Sequence, residues 1–463
     1  MKSLITPLVL VMLAAPLGAQ TTDTDKRIAD LEKKVAKLAK AEPAKETVKE
    51  DAKDAGFYVK FGGRVHLDAV YFNGGQNRLP DGTFMRRARI SWKVGFGPDW
   101  IGEGDVDFAE SAVNIKDMWL GYQGFKDTLI QVGQFKEPFG MDTLSSSNNT
   151  WFTERSYSDI WTPDRHIGVA VAKWGERWHG KASFFGQAID DTSDIQEAAD
   201  ANVDSTGLLK TYKVNDNQGY GAAARFVFLP VKVSDTKLVH LGAAYIDRKP
   251  NAAAPGVYAV DFSGRPEQNK VSRAKFVNAA VTNVKDFAQI GAEFAGLWGP
   301  FSWQSEWQQT KVNRRDTQKL KWDGTKLVAT SAAEQLASTV NHTFSTYYAQ
   351  VSWIFGGQRS YEIADGFFKG VKASKAGAWE IVARISQMNQ DDLTAVDAVK
   401  GGIVKNLSVG VTYYLNKNVR FMLDYTKVDP NENAAPNKAF SPTGVKIFSD
   451  KFGFTSMRMQ YNF

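Results

Sequence analysis

The chain ends with Met457-Arg458-Met459-Gln460-Tyr461-Asn462-Phe463, in which apolar and polar side chains alternate without a break. Successive side chains of a β-strand point to opposite faces, so this period of two places the methionines and aromatic residues on one face and the polar residues on the other. The final residue is itself an aromatic one. The stretch therefore predicts a strand with one apolar and one polar face.

The same alternation returns along most of the chain. Residues 57–72, 404–415 and 418–428 each carry apolar side chains at every second position, with polar or charged side chains between them. Strands of about ten residues that are apolar on one face only are typical of barrels that span a membrane. The turn Asn416-Lys417-Asn418 joins two of these runs and has the length and composition of a hairpin. The pattern predicts an all-β, antiparallel membrane sheet.

Sixteen such strands are predicted, an even number that suits a single-chain transmembrane β-barrel. They span 57–72, 84–95, 101–110, 116–122, 127–135, 165–174, 178–188, 218–229, 236–247, 286–297, 300–312, 343–356, 377–388, 404–415, 418–428 and 452–463. Short turns alternate with long connections, as expected for the two sides of a membrane barrel. Residues 357–376 are the exception, because this long segment falls on the short-turn side.

The amino-terminal region has its own organisation. Residues 1–19 have the basic and apolar character of a secretory signal peptide, with cleavage expected after Ala19. Residues 20–40 carry two apolar heptads, which favour a short periplasmic coiled-coil helix over a lone solvated helix. The heptad positions are Ile28, Leu31, Val35 and Leu38. Residues 41–56 form a charged linker, and 57–463 form the barrel domain.

Composition excludes several classes of function. The 463 residues include no cysteine, so disulfides, zinc–thiolate sites and cysteine nucleophiles are excluded. The five histidines show no metal-ligand spacing, and no carboxylate pair stands out as an acid and base. The formal net charge is +6, but the basic residues lie singly rather than in a patch for nucleic acid. We therefore expect neither enzyme chemistry nor a cofactor, a metal or a nucleic-acid partner.

Five phrases, in this order, resemble the phosphate-selective porins of the bacterial outer membrane. They are Phe84-Met85-Arg86-Arg87-Ala88-Arg89, Gly133-Gln134-Phe135-Lys136-Glu137-Pro138-Phe139-Gly140, Thr153-Glu154-Arg155, Gly377-Ala378-Trp379-Glu380-Ile381-Val382-Ala383-Arg384 and the Met457-to-Phe463 ending. The resemblance implies a homotrimer that passes small anions through the outer membrane. It also implies contact with outer-membrane lipid and lipopolysaccharide, and recognition of Phe463 by the barrel assembly machinery.

The resemblance further implies that 136–164 is a constriction loop, folded inward after the fifth strand, and that Arg86, Arg87 and Arg155 belong to a ladder of arginines for anions. Strand parity independently directs Arg87, Arg89 and Lys93 into the lumen. The full set of residues predicted to line the anion path is Lys60, Arg64, Arg86, Arg87, Arg89, Lys93, Lys136 and Arg155. The alternative is that these cations only make the lumen polar, or bind lipopolysaccharide outside the barrel.

Two positions depart from the family pattern. Ile101 and Thr143 stand where selective members of the family carry lysines, and basic residues only modestly outnumber acidic ones on the predicted lumen faces. We therefore predict anion preference and leave open a weakly selective general porin for organic acids or other solutes. A structural envelope tether and an outer-membrane barrel enzyme are the alternatives from other classes.

Overall fold

The computed structural model describes residues 56–109, 112–189, 202–203, 209–211, 219–250, 252–254, 257–268, 274–315, 320–322, 327–329, 331, 339–393 and 397–463. The predicted signal peptide, the coiled-coil helix and all of the linker except Gly56 lie outside the described residues. In the described part of the chain, no helix has the length and apolar character needed to cross a membrane.

Sixteen antiparallel strands close into one barrel, which confirms the predicted all-β fold and strand number. They are β1 (Phe57–Asn73), β2 (Gly82–Phe96), β3 (Trp100–Asp107), β4 (Asn114–Tyr122), β5 (Thr128–Lys136), β6 (Arg165–Trp174), β7 (Trp178–Phe185), β8 (Gly221–Ser234), β9 (Lys237–Arg248), β10 (Val284–Trp298), β11 (Phe301–Arg314), β12 (His342–Phe355), β13 (Ala378–Asp392), β14 (Val399–Tyr414), β15 (Val419–Pro430) and β16 (Phe452–Asn462).

Each strand pairs with the next in the chain, and β16 pairs with β1 to complete the ring. Arg64 lies opposite Asn462 at one end of this seam, and Asn73 lies opposite Gly453 at the other. The backbone of Phe463 continues the seam, because it exchanges two hydrogen bonds with Gly63 of 3.0 and 3.1 Å. A closed ring leaves no strand edge with unpaired backbone groups, which is what a span through lipid requires.

The wall is apolar outside and polar inside. On β11, Trp303 and Trp307 belong to the outward set, while Ser302, Gln304, Glu306, Gln308 and Thr310 alternate with them and are buried inside. Large apolar side chains elsewhere on the outer face are exposed, including Val351, Trp353 and Phe355 of β12. This inverted arrangement places apolar residues against lipid and polar residues toward the lumen.

The remaining regular elements lie in the connections. Ala252–Ala254, Val257–Gly264 and Val277–Thr282 form a three-stranded sheet after β9, and Lys438–Phe440 form a 3₁₀ turn. Leu320–Trp322 pairs with Leu327–Ala329, and Asn202–Val203 pairs with Leu209–Thr211.

The exceptional segment 357–376 forms a hairpin of Gly357–Glu362 with Phe367–Ala373, here called the inner hairpin. Arg359 is buried, forms an ion pair with Glu380 of β13 and lies 4.3 Å from the ring centroid of Trp151. Phe368 stacks on the same ring at 6.3 Å. Since Trp151 belongs to the 136–164 segment, the inner hairpin packs against that segment inside the barrel.

Candidate functional site

The 136–164 segment crosses the interior of the barrel between β5 and β6. It contains two short helices, α1 (Met141–Leu144) and α2 (Ser158–Trp161). Gly140 has a φ of 71°, which favours glycine, and it turns the chain into α1. The predicted inward fold of this segment therefore agrees with its position, whereas its role as a constriction stays a prediction.

Wall carboxylates hold the backbone N–H groups of this segment. Glu306 of β11 accepts hydrogen bonds from the N–H groups of Met141 (3.0 Å) and Asp142 (2.7 Å) at the start of α1. Asp424 of β15 accepts one from the N–H of Thr153 at 2.6 Å. These hydrogen bonds fix the segment at two distant points of the wall.

Cations hold the carbonyl groups of the same segment. Arg420 of β15 donates to the carbonyl oxygen of Thr150 at 2.9 Å, and Arg384 of β13 donates to that of Glu154 at 3.1 Å. Lys136 donates to the carbonyl oxygens of Thr143 and Ser145. These contacts fix the carbonyl groups of the segment to the wall, and Arg384 is also paired with Glu267 at 2.8 Å.

Between this segment and strands β1–β7 lies a charged cavity of about 650 Å³, here called the main cavity. Eleven basic and seven acidic side chains line it, so the basic ones are in excess. The basic residues are Arg64, Arg86, Arg87, Arg89, Lys93, Lys116, Lys136, Arg155, Arg165, Lys181 and Lys369. The acidic residues are Glu103, Asp105, Asp107, Asp117, Asp159, Asp164 and Asp365.

Two β-bulges increase the charge density of this wall. Between β1 and β2 the register passes from His66 opposite Arg87 to Leu67 opposite Met85, which leaves Arg86 as an extra residue. Between β3 and β4, Lys116 and Asp117 together oppose the single residue Asp105. A bulge redirects side chains that strict alternation would place on opposite faces. Both members of each consecutive charged pair therefore line the main cavity.

Several cavity arginines are compensated by carboxylates. Arg86 holds Glu154 with its Nε and with Nη2 at 2.9 Å from Oε2. Arg89 lies 2.8 Å from Asp107 and 3.3 Å from Asp105, and Arg165 lies 2.8 Å from Asp117. Arg64 and Arg155 have longer contacts of 3.4 and 3.6 Å with Asp105 and Asp159.

The segment's own carboxylates respond to this environment. Burial alone would raise the pKa of Glu154, but the charge of Arg86 and its hydrogen bonds outweigh burial and lower the pKa to about 2. Glu154 therefore stays ionised and compensates Arg86 across the physiological range. At Asp159 the pKa is raised, because the charge of Arg155 does not fully offset the cost of burying the carboxylate.

Four other cations have no carboxylate partner among the described residues. Arg87 is 4% exposed, and its Nη1 lies 3.4 Å from His66 Nδ1. Lys136 binds only backbone carbonyl groups, and Lys181 binds the Gln131 amide oxygen at 2.7 Å. Lys116 is the fourth of these cations in the lining of the main cavity. These residues bring into the main cavity four basic groups that have no carboxylate partner in the described part of the chain.

Seven of the eight residues predicted for the anion path line the main cavity; Lys60 does not. It is exposed near the start of β1, with its ammonium 5.3 Å from the Tyr58 ring centroid. Lys93 lines the cavity at a more open position, 3.5 Å from Glu103. Thr143, at the position of an expected family lysine, is buried and donates to Asp159 at 2.9 Å.

Sequence reasoning did not place Lys116 or Arg165 in the path. Lys116 reaches the cavity through a bulge, for which the sequence offers no clear signal. Arg165 is the first residue of β6, where the predicted end of the inward segment leaves the facing of the side chain undetermined.

Comparison with known proteins decides the family. The model of a protein family described as "Phosphate-selective porin O and P" matches residues 59–463. The chain belongs to this porin family. It is 23% identical over 408 residues to Porin O of Pseudomonas aeruginosa, covering 81% of this chain and 83% of that one. The chain is therefore a porin of the bacterial outer membrane that passes small anions, which confirms the predicted function and location.

Solved structures of porins resemble this one more distantly. An anion-selective porin from Comamonas acidovorans has a TM-score of 0.49 and 9% identity, covering 88% of this chain and all of that one. OmpT of Vibrio cholerae in its trimer form has a TM-score of 0.48 and 10% identity, with 88% and 100% of the two chains covered.

Proposed function

We propose that small anions cross this porin through the main cavity, and that Arg87, Lys116, Lys136 and Lys181 set its preference for anions. The observation that carries the proposal is the absence of a carboxylate partner for these four cations among the described residues. A fixed charge in a narrow pore with low-dielectric walls acts on passing ions with little screening. Rings of such charges select anions.

The paired cations have a second role in this proposal. Arg86, Arg89 and Arg165 are tied to carboxylates, so they contribute less to the potential and more to holding the wall and the 136–164 segment in place. Arg64 and Arg155 have longer ion pairs, and Arg155 also donates to the carbonyl oxygens of Asp142 and Ser145. Lys93, at the open end, then contributes to capture. Lys60 lies outside the main cavity and is not assigned to the path.

The proposed substrates are phosphate-type inorganic anions. The name of the family supports this class, and the guanidinium of Arg87 offers planar donors that match phosphate oxygens. The buried Thr143 at the expected lysine position favours moderate rather than tight selectivity. Passage of organic acids through the same basic lumen is the second candidate.

Conductance of the purified porin in planar bilayers tests this proposal. In a potassium chloride gradient, the zero-current potential should show chloride preference, and phosphate added to either side should reduce the chloride current. A channel that prefers potassium would contradict the proposal. The absence of a stable ion current would favour the structural tether or the barrel enzyme.

For the amino-terminal region we propose a role in assembly rather than permeation. The heptads of 20–40 favour a periplasmic coiled coil that joins the protomers of a homotrimer. Deleting 21–55 should then leave single-channel conductance unchanged and weaken chemical cross-linking between protomers. Loss of conductance in the folded deletion would contradict this role. We also propose that the porin contacts outer-membrane lipopolysaccharide and that the barrel assembly machinery recognises Phe463.

A further inference from the structure

A second cavity of about 370 Å³, here called the vestibule, lies at the end of the barrel that carries the long connections. It is lined by the start of β4, the ends of β5 and β9, the start of β10, α2 and the three-stranded sheet after β9. The vestibule shares Lys116, Asp164 and Arg165 with the main cavity. A solute that enters from this side therefore meets the vestibule before it meets Arg87.

One part of the vestibule is an aromatic cluster. Trp161 of α2 lies 5.9 Å from Phe262, and Phe262 lies 5.8 Å from Phe287 of β10, measured between ring centroids. All three side chains line the vestibule, together with Ile160 and Pro163. Small-molecule sites are commonly lined in this way, with apolar walls and a few polar groups, and have volumes of about 300–1,000 Å³.

The charged groups of the vestibule are three basic and two acidic side chains. Lys116 and Arg165 stand where it joins the main cavity, and the guanidinium of Arg248 lies 5.7 Å from the Phe287 ring centroid. Asp164 is bound by Arg165 at 2.8 Å, while the exposed Asp261 is the other acidic group. A cation over an aromatic face is attracted to the ring.

Trp161 adds an unused donor. Its side chain is 5% exposed, and its indole Nε1 has no hydrogen-bond partner among the described residues. A buried polar group without a partner is uncommon and marks a place where a water molecule or an ion can bind. The donor lies in the same residue that forms the aromatic wall.

We propose that the vestibule binds organic anions with a flat apolar body, such as aromatic carboxylates, before they enter the main cavity. The ring of such a ligand packs against Phe262, Trp161 and Phe287, while its carboxylate points to Lys116 and Arg165 at the junction. A hydrated inorganic anion gains nothing from the aromatic wall. This inference rests on the proposed function, because the bound anion then follows the proposed path.

The test uses the full-length porin in planar bilayers, with benzoate or acetate added to the side of the long connections. Benzoate should reduce the chloride current at a concentration about fivefold lower than acetate, because only benzoate has a ring to stack. Benzoate added to the opposite side should show a smaller advantage. Equal block by the two carboxylates from the loop side would overturn the inference.

A variant locates the site. Phe262→Leu keeps an apolar side chain but removes the aromatic face, so the advantage of benzoate over acetate should fall about two- to tenfold. The matched control is Phe448→Leu, because Phe448 is exposed in the connection before β16 and does not line the vestibule. An unchanged benzoate-to-acetate ratio in Phe262→Leu would overturn the inference.

The two proposals fail differently. A wild-type channel without chloride preference would defeat the proposed function. A chloride-preferring channel in which benzoate has no advantage would defeat only the vestibule. The wild-type comparison decides the vestibule even if Phe262→Leu does not fold.

Discussion

Arg86 of β2 and Glu154 of the 136–164 segment form a two-point ion pair that joins the segment to the barrel wall. Arg458 of β16 lies 3.7 Å from the same carboxylate and binds Asp68 of β1 through two nitrogens at 2.7 Å. The segment is therefore tied to the seam where the barrel closes. This link connects the shape of the pore to the stability of the barrel.

Glu154→Gln should weaken this link. The substitution leaves the buried Arg86 without an anion, and removing one partner of a buried pair costs about 3–5 kcal/mol. We expect the temperature at which electrophoretic migration changes from folded to unfolded to fall clearly. Lys451→Gln is the control, because its pair with Asp429 is exposed and is worth at most about 1 kcal/mol. Equal effects of the two substitutions would contradict the link.

Glu306→Ala should loosen the 136–164 segment from the opposite wall. The N–H groups of Met141 and Asp142 lose their shared carboxylate, so the start of α1 is no longer fixed. Single-channel recordings should show larger and noisier conductance steps than the wild type. Asp235→Ala, in an exposed turn, should leave the steps unchanged. Conductance steps of wild-type size and noise in Glu306→Ala would show that the other contacts are enough to hold the 136–164 segment.

Glu137 provides a prediction about pH. Its side chain is fully buried and burial raises its pKa to about 7, although a hydrogen bond from Ser183 opposes the shift. The folded state therefore holds this proton more tightly than the unfolded chain. The stability that depends on the proton is complete below the ordinary pKa near 4.5 and is lost as the pH rises through 7.

Glu137→Gln should remove this dependence. At pH 8 the variant should exceed the wild type by up to about 3 kcal/mol, and the difference should close near pH 4.5. Thermal unfolding of the purified porin at the two pH values measures it. Glu176→Gln, in an exposed turn, should behave as the wild type. A gain for Glu137→Gln that is the same at both pH values would contradict the assignment.

Gly63 faces Phe463 across the seam and provides a prediction about assembly. A Cβ added at Gly63 would lie 2.5 Å from the carbonyl oxygen of Arg89 and would also meet the Phe463 ring. Gly63→Ala should therefore reduce the amount of heat-modifiable barrel in outer-membrane fractions. Gly180→Ala is the matched control, because the nearest atom to its added Cβ is 3.7 Å away. Normal yield from Gly63→Ala would show that the seam can shift.

The sequence predicted the barrel well because its signal is repeated. Alternation fixes which face of a strand meets lipid, and sixteen repeats compensate for errors at individual ends, such as β14, which begins at Val399 rather than at 404. The inner hairpin was noticed only as a segment of unusual length. Its inward fold depends on distant contacts, such as that of Arg359 with Trp151, which local sequence does not encode.

The candidate site was predicted in part for a related reason. The alternation of strand faces identifies Arg87 and Arg89 as residues that face the lumen. A bulge interrupts this alternation, and the bulge between β3 and β4 brings Lys116 into the main cavity beside Asp117. Sequence also cannot show which cations are paired. Arg86 and Arg87 are neighbours in the chain, yet Glu154 forms an ion pair with Arg86 and leaves Arg87 without one.

The most direct measurement of the central claim compares Arg87→Gln with Lys417→Gln in planar bilayers under a potassium chloride gradient. Lys417 lies in the exposed turn between β14 and β15, outside the main cavity. Arg87→Gln should lower the chloride-over-potassium permeability ratio about two- to tenfold, which corresponds to about 0.4–1.4 kcal/mol. The effect should shrink at 1 M salt, where the Debye length is about 3 Å. A zero-current potential of Arg87→Gln equal to that of Lys417→Gln would contradict the claim that uncompensated cations of the main cavity select the anion.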